Sequence, residues 1–191
     1  MSLDILMSQD PTRYSDIYTS LSRSRVIFLC EDITKDVAAS LCGLLIYYDN
    51  ISHEPITILI HTNGGDSAAL ASIYDVMSLV SSPISTICIG KAYSAGAFIL
   101  SAGTKGHRHI LPNADIMIHG LQCAFPMAPL SDQTDSSIYF NYLENLNKRI
   151  MKILAKHTGQ PLNKIEQDSK RDFYLDANAA VKYGIVDSIL G

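Results

Sequence analysis

The chain has 191 residues, 47% of them hydrophobic and 18% charged, with a formal net charge of -4. That length supports one domain with a real core and is short for two, and the composition excludes a disordered chain. A net negative charge with no Lys/Arg run argues against nucleic acid as the main partner. No apolar run approaches the roughly 18 residues that span a bilayer.

The first residues, Met1 to Met7, carry an acid and no basic residue, unlike a secretory leader, so a cytoplasmic location is expected. Residues 1–13 include Pro11 and lack a periodic apolar face, which predicts a flexible terminal segment ahead of a single domain over 14–191. Val26–Cys30 reads as a buried strand. A helix follows over 36–48, from the spacing of Val37, Leu41, Leu44, Leu45 and Tyr48. Ile56–Ile60 is the next strand, ended by Asn63-Gly64-Gly65. Leu70, Ile73, Met77 and Val80 then fall at helical spacing, and Pro83 stops that helix. Ile84–Ile89 is a third strand, and Ala95–Leu100 a short helix. His107–Leu111 and Asp115–His119 are strand-like, separated by the turn at Pro112-Asn113. Strands alternating with helices predict an α/β domain with a largely parallel sheet.

From Asp132 to His157 the pattern is helical, with Ile138, Leu143, Leu146, Ile150, Ile153 and Leu154 among its apolar positions. Such a helix would be on the order of 40 Å long, against a radius of gyration of about 16 Å for a globule of this size. Either it projects and needs a partner helix from another subunit, or it lies across its own sheet.

Three segments suggest one chemistry. Ser94, in Gly90-Lys-Ala-Tyr-Ser-Ala-Gly96, stands where a strand turns into a helix, with the positive end of the helix dipole behind it. Such a serine is either an N-cap or a nucleophile whose oxyanion the first free helix N–H groups can hold. Gly64 and Gly65 let bare backbone approach a ligand and offer N–H groups to it, and no Gly-x-x-x-x-Gly-Lys phosphate loop is present. His119 ends a strand, as a general base or as a structural imidazole. Asp172 either orients a histidine or pairs with Arg171 on the surface. His107 and His109 have metal-type spacing without an accompanying acid or cysteine cluster. The four cysteines, Cys30, Cys42, Cys88 and Cys123, lack C-x-x-C spacing and read as free thiols of a reducing compartment.

Taken together, residues 15–29, Gly64-Gly65, Ile73–Asp75, Ser85–Gly90, Ala95–Phe98, Leu111–Asn113, Met117–His119, His157–Gln160 and Tyr183–Leu190 closely resemble the ClpP family, the proteolytic subunits of ATP-dependent Clp proteases. The resemblance implies a crotonase-like fold and a serine peptidase with Ser94 as nucleophile, His119 as base and Asp172 as orienting acid. It implies backbone N–H groups of Gly65 and Ala95 as the oxyanion hole, with no metal or organic cofactor. It further implies two stacked heptameric rings, homo- or hetero-oligomeric, and a handle over about 120–158. Arg171, Leu146 and Ile150 are expected at the ring–ring contact, and residues 1–13 at an axial pore. A partner AAA+ Clp ATPase would use ATP to deliver unfolded polypeptides.

The chain departs from the family twice. Gly120–Leu130 lacks the usual glycine pair and carries Pro126 and Pro129, which interrupt strand pairing with a peptide. Thr57 and Leu59 stand where aromatic residues usually dock an ATPase loop. These departures raise the alternative of a weakly active structural subunit in a mixed barrel with a second ClpP-type subunit. An acyl-CoA enzyme on the same fold would leave Ser94 and His119 without a purpose. An α/β-hydrolase would need its acid between serine and histidine.

Overall fold

Seven strands form one sheet in the computed structural model, which describes residue 21 and residues 23–121 and 133–191. The expected axial segment 1–13, Cys123, Pro126 and Pro129 lie outside the described residues. Strands β1 (Val26–Leu29), β2 (Ile56–Thr62) and β3 (Ile84–Tyr93) run parallel, connected by helices α1 (Lys35–Ile51) and α2 (Ser67–Leu79). The helices begin where side chains satisfy their free N–H groups. Thr34 Oγ1 accepts from Val37, and the Asp66 carboxylate accepts from Ala68 and Ala69. Ile56, Ile58, Ile60, Leu45 and Ile73 are completely buried between these layers. Each such side chain contributes about 1.5–3 kcal/mol of transfer free energy.

The third strand runs four residues beyond the predicted end at Ile89. Opposite β2 the register jumps from Ile60↔Cys88 to Thr62↔Ala92, so β3 carries a bulge. Gly90 lies in it with φ 138°, where an added Cβ would come within 2.5 Å of His61 Nδ1. Below the bulge, residues 86–88 pair with β4 (Arg108–Ile110). Above it, residues 91–93 pair with β5 (Asp115–Ile118). The bulge thus re-aims the strand end that delivers Ser94 into helix α3 (Ala95–Ser101).

The long helix is α4, Gln133–Thr158, close to its expected bounds. Leu146, Met151 and Leu154 are buried in the domain, while Ile138, Phe140 and Tyr142 are about half to two-thirds exposed. Leu146 is 8% exposed, and Ile150 packs against the core while staying partly open. The apolar side chains left exposed lie one to three turns nearer the helix N-terminus. Helices α5 (Leu162–Asp168) and α6 (Ala177–Tyr183) follow, with β6 (Phe173–Leu175) antiparallel to β5 and β7 (Ser188–Ile189) parallel to β4. The mixed α/β fold matches the expected class. Of the described cysteines, all free, Cys88 is buried and Cys30 exposed. Burial pushes the Cys88 thiol up to about 12.

One ion pair ties the C-terminus to the sheet. Arg108, 2% exposed on β4, donates through Nε and its main-chain N–H to Asp187 Oδ2, each at 3.0 Å, and through Nη2 to Oδ1. Its Nη1 donates to the carbonyls of His157 and Gly184 at 2.9 and 3.0 Å. Burial raises the Asp187 carboxyl, but the hydrogen bonds and charge of Arg108 outweigh it and hold the group down to about 2. Asp187→Ala is therefore expected to cost about 3–5 kcal/mol by leaving the guanidinium buried and uncompensated. A thermal melt would show this as a large fall in Tm, and an unchanged Tm would contradict it. Because the folded carboxyl titrates below its ordinary value of 3.8, its stabilisation is complete above that pH and is lost as pH falls through about 2.

Candidate active site

Ser94 has φ 53° and ψ -119°, outside the regions where L-residues are comfortable. Strain of this kind costs about 1–3 kcal/mol and persists only where the surroundings enforce it. Here the Ser94 N–H donates to Met117 O on β5 at 2.8 Å, and Phe98 N–H donates to Ser94 O at 3.2 Å. The Ser94 hydroxyl makes no capping bond to α3, although it occupies the N-cap position. The capping alternative therefore loses its physical basis. Helix α3 is buried throughout and abuts β2, since a Cβ on Gly96 would lie 2.5 Å from Thr62 Cγ2.

The glycine pair follows β2. Ile33 N–H donates to Gly64 O and Asp66 N–H donates to Ile33 O, both at 2.8 Å. This parallel bridge uses the groups flanking Gly65, so the N–H of Gly65 itself points away from Ile33. Gly64, at φ 101°, is pressed against the serine turn. A Cβ there would lie 2.8 Å from Ser94 Cβ and 3.0 Å from Ala95 N. Ala95 is the first residue of α3, where a main-chain N–H has no intrahelical acceptor.

His119 comes directly after β5. In the antiparallel pairing of β5 with β6, Ile118 stands opposite Phe173, so the next residues out, His119 and Asp172, face each other. His119 Nδ1 lies 3.5 Å from Asp172 Oδ1. The histidine side chain is 13% exposed and the aspartate 46%. Gly120 N–H donates to Ser169 O at 2.7 Å, and Leu121 N–H to Asn147 Oδ1 at 3.0 Å, which hold the chain as it leaves His119.

Gly65, Ser94, Ala95 and His119 line one cavity of about 540 Å³. Its apolar wall includes Leu70, Phe98, Leu143 and Leu154, together with Ile150. A neighbouring cavity shares His119 and is lined on its far side by Lys170, Arg171 and Asp172. The other histidines are elsewhere. His109 Nδ1 is 2.9 Å from Ser188 Oγ. His157 is hydrogen-bonded to Tyr74 Oη at 3.1 Å, and burial, then the charges of Lys156 and Arg108, lower it to about 4. Among the described residues, no group of three or more His, Cys, Asp or Glu is placed to hold a metal ion. No described helix is long and apolar enough to cross a membrane.

Sequence reasoning missed two side chains beside the site. Asn63 lines the cavity, and its Oδ1 accepts from Lys91 Nζ at 2.7 Å. Adjacency to Gly64-Gly65 and to the serine turn was the available signal, but only the bulged end of β3 brings them together. In comparison with known families, the model for Clp protease matches residues 8–191, nearly the whole chain.

Proposed function

The chain belongs to the Clp protease family of serine peptidase hydrolases, and on that footing we propose that it is an endopeptidase subunit acting through Ser94, His119 and Asp172. His119 takes the proton of Ser94 Oγ as that oxygen attacks the scissile carbonyl. The main-chain N–H groups of Gly65 and Ala95 hold the developing oxyanion, where fixed dipoles need no reorganisation. His119 then protonates the leaving amine, and water, deprotonated by His119, hydrolyses the acyl-enzyme. Asp172, facing Nδ1, sets the tautomer that leaves Nε2 free for the serine. This chemistry uses protein groups alone.

The observation that carries this reading is the strained, uncapped Ser94 sharing a cavity with His119. Family members generally form self-compartmentalised oligomers that work with Clp ATPases. For this chain the reading is two stacked heptameric rings in the cytoplasm, fed with unfolded polypeptide by an AAA+ Clp ATPase. Incubation with a fluorophosphonate, followed by peptide mapping, tests the site: labelling at Ser94 is the expected result, and labelling of another serine instead would refute it.

A second reading, a weakly active subunit of a mixed barrel, is favoured by one distance. At 3.5 Å between Nδ1 and Oδ1, with Asp172 nearly half exposed, His119 and Asp172 are not yet hydrogen-bonded in the single chain. Turnover by the isolated chain equal to that of a mixture with a second Clp-type subunit would exclude it.

Assembly is expected to use the exposed apolar part of α4. Ile138→Asp combined with Tyr142→Asp places charge where apolar side chains would meet, a cost of several kcal/mol per buried copy, roughly as for an unpaired buried ion. Sedimentation should show smaller particles with a matching loss of peptidase activity. Intact double rings in this variant would place the contact elsewhere.

A further inference from the structure

The two donors assigned to the oxyanion lie on different segments, and something must set the distance between them. Gly65 belongs to a loop containing two consecutive glycines, both at positive φ, the most permissive backbone in the chain. Ala95 follows the end of β3. On one side the glycine loop is tied to residues 31–33. Thr62 Oγ1 donates to Glu31 O at 2.7 Å and accepts from Gly64 N–H at 3.1 Å. Asn63 Nδ2 reaches Asp32 Oδ1 at 3.3 Å, and the Ile33–Gly65 bridge completes the seam. These side-chain ties do not reach the strand that carries the serine, which meets the end of β2 through the register pair Thr62↔Ala92.

Lys91 adds a side-chain link to that strand. It lies on β3 three residues before Ser94, in the part of the strand beyond the bulge. Its ammonium donates to Asn63 Oδ1 at 2.7 Å, although Asp115 is its register neighbour on β5. Its Nζ also lies over the Tyr93 ring, 5.7 Å from the centroid. The Asn63 amide is thus held at its oxygen by a cation on the nucleophile strand and at its nitrogen by Asp32 on the opposite loop. A hydrogen bond to a charged donor is stronger than a neutral one, and the planar amide passes the restraint directly to Gly64.

We infer that Lys91 and Asn63 are positioning residues that set the separation of the Gly65 and Ala95 N–H groups, and so tune oxyanion stabilisation. The inference rests on the peptidase reading above. It implies that loss of the Lys91 ammonium weakens binding of the tetrahedral species more than binding of the ground-state peptide.

The test is made on the full assembly, with Lys91→Met, Lys91→Arg, Asn63→Ala and the double variant Lys91→Met/Asn63→Ala. Methionine keeps most of the lysine stem and removes the donor. The rate of Ser94 phosphonylation by a fluorophosphonate is measured by intact mass, and kcat and KM with a fluorogenic peptide. Lys91→Met and Asn63→Ala are each expected to slow both labelling and kcat by roughly five- to tenfold, the worth of one good hydrogen bond. KM should stay within about twofold, as for an interaction made only in the transition state. Lys91→Arg should recover most of the rate, and the double variant should be no slower than either single one, because both act through one contact. Tm is recorded for each variant as a control on folding.

Unchanged labelling and kcat in Lys91→Met, additive losses in the double variant, or a loss expressed in KM would each overturn the positioning role. A wild-type Ser94 that resists the probe would overturn the peptidase reading and this inference together. A labelled wild type with an unslowed Lys91→Met overturns this inference alone.

Discussion

Ser94→Ala is expected to reduce peptide hydrolysis by roughly 10⁴-fold or more, since removing a nucleophile eliminates the covalent route and leaves only binding and the oxyanion hole. Folding and assembly should be spared. The Ser94 hydroxyl makes no capping bond, so alanine forfeits none, and the main-chain bonds to Met117 and Phe98 that enforce the turn do not depend on the side chain. Alanine tolerates φ 53° no worse than serine does. The comparison is therefore clean: equal Tm and equal particle size, with turnover and fluorophosphonate labelling both gone. His119→Ala should fail about as completely, because nucleophile and base act as a unit and their losses do not add. Substantial turnover by Ser94→Ala would assign the chemistry to another residue.

Gly65→Ala should be nearly as damaging for a different reason. The donor is main chain, so no side-chain deletion can remove it, but an added side chain can displace it. A Cβ on Gly65 would lie 2.7 Å from Ile33 N and closer still to the Ile33 carbonyl oxygen. Both are backbone atoms held in the bridge to β1's following loop, so the glycine loop must move instead. Losing one oxyanion donor costs about 10²–10³ in kcat. The expected result is a fall of that size in kcat, with some loss of Tm from the broken bridge. Gly43→Ala provides the contrast. Gly43 lies within α1 with nothing within 4 Å of an added Cβ. Alanine there should leave kcat alone and raise stability by about 0.5–1 kcal/mol. If Gly65→Ala retained wild-type kcat, the oxyanion would have to be held elsewhere.

These two variants bracket what each level of description contributes. Apolar periodicity alone located β1, β2, the start of β3 and the helices between them, because each of these elements buries a face against the next and the burial leaves its mark at spacings of 2 or 3.6 residues. It also found the long helix within one residue at each end. Ser94, His119 and Asp172 were legible as candidates from local context and from resemblance to a family.

Their relation in space was not. Asp172 comes beside His119 only because β6, a three-residue strand too short to carry a period, pairs antiparallel with β5 in a mainly parallel sheet. Ser94 is strained rather than capping because β3 continues through a bulge at Gly90, and a glycine inside an apolar run reads as an end. Leu146 and Ile138 are both apolar residues of one helix, yet one is 8% exposed and the other 63%. A sequence pattern records which residues gain from leaving water. Which neighbour covers them is decided by non-local packing, and that is a property of the folded chain alone.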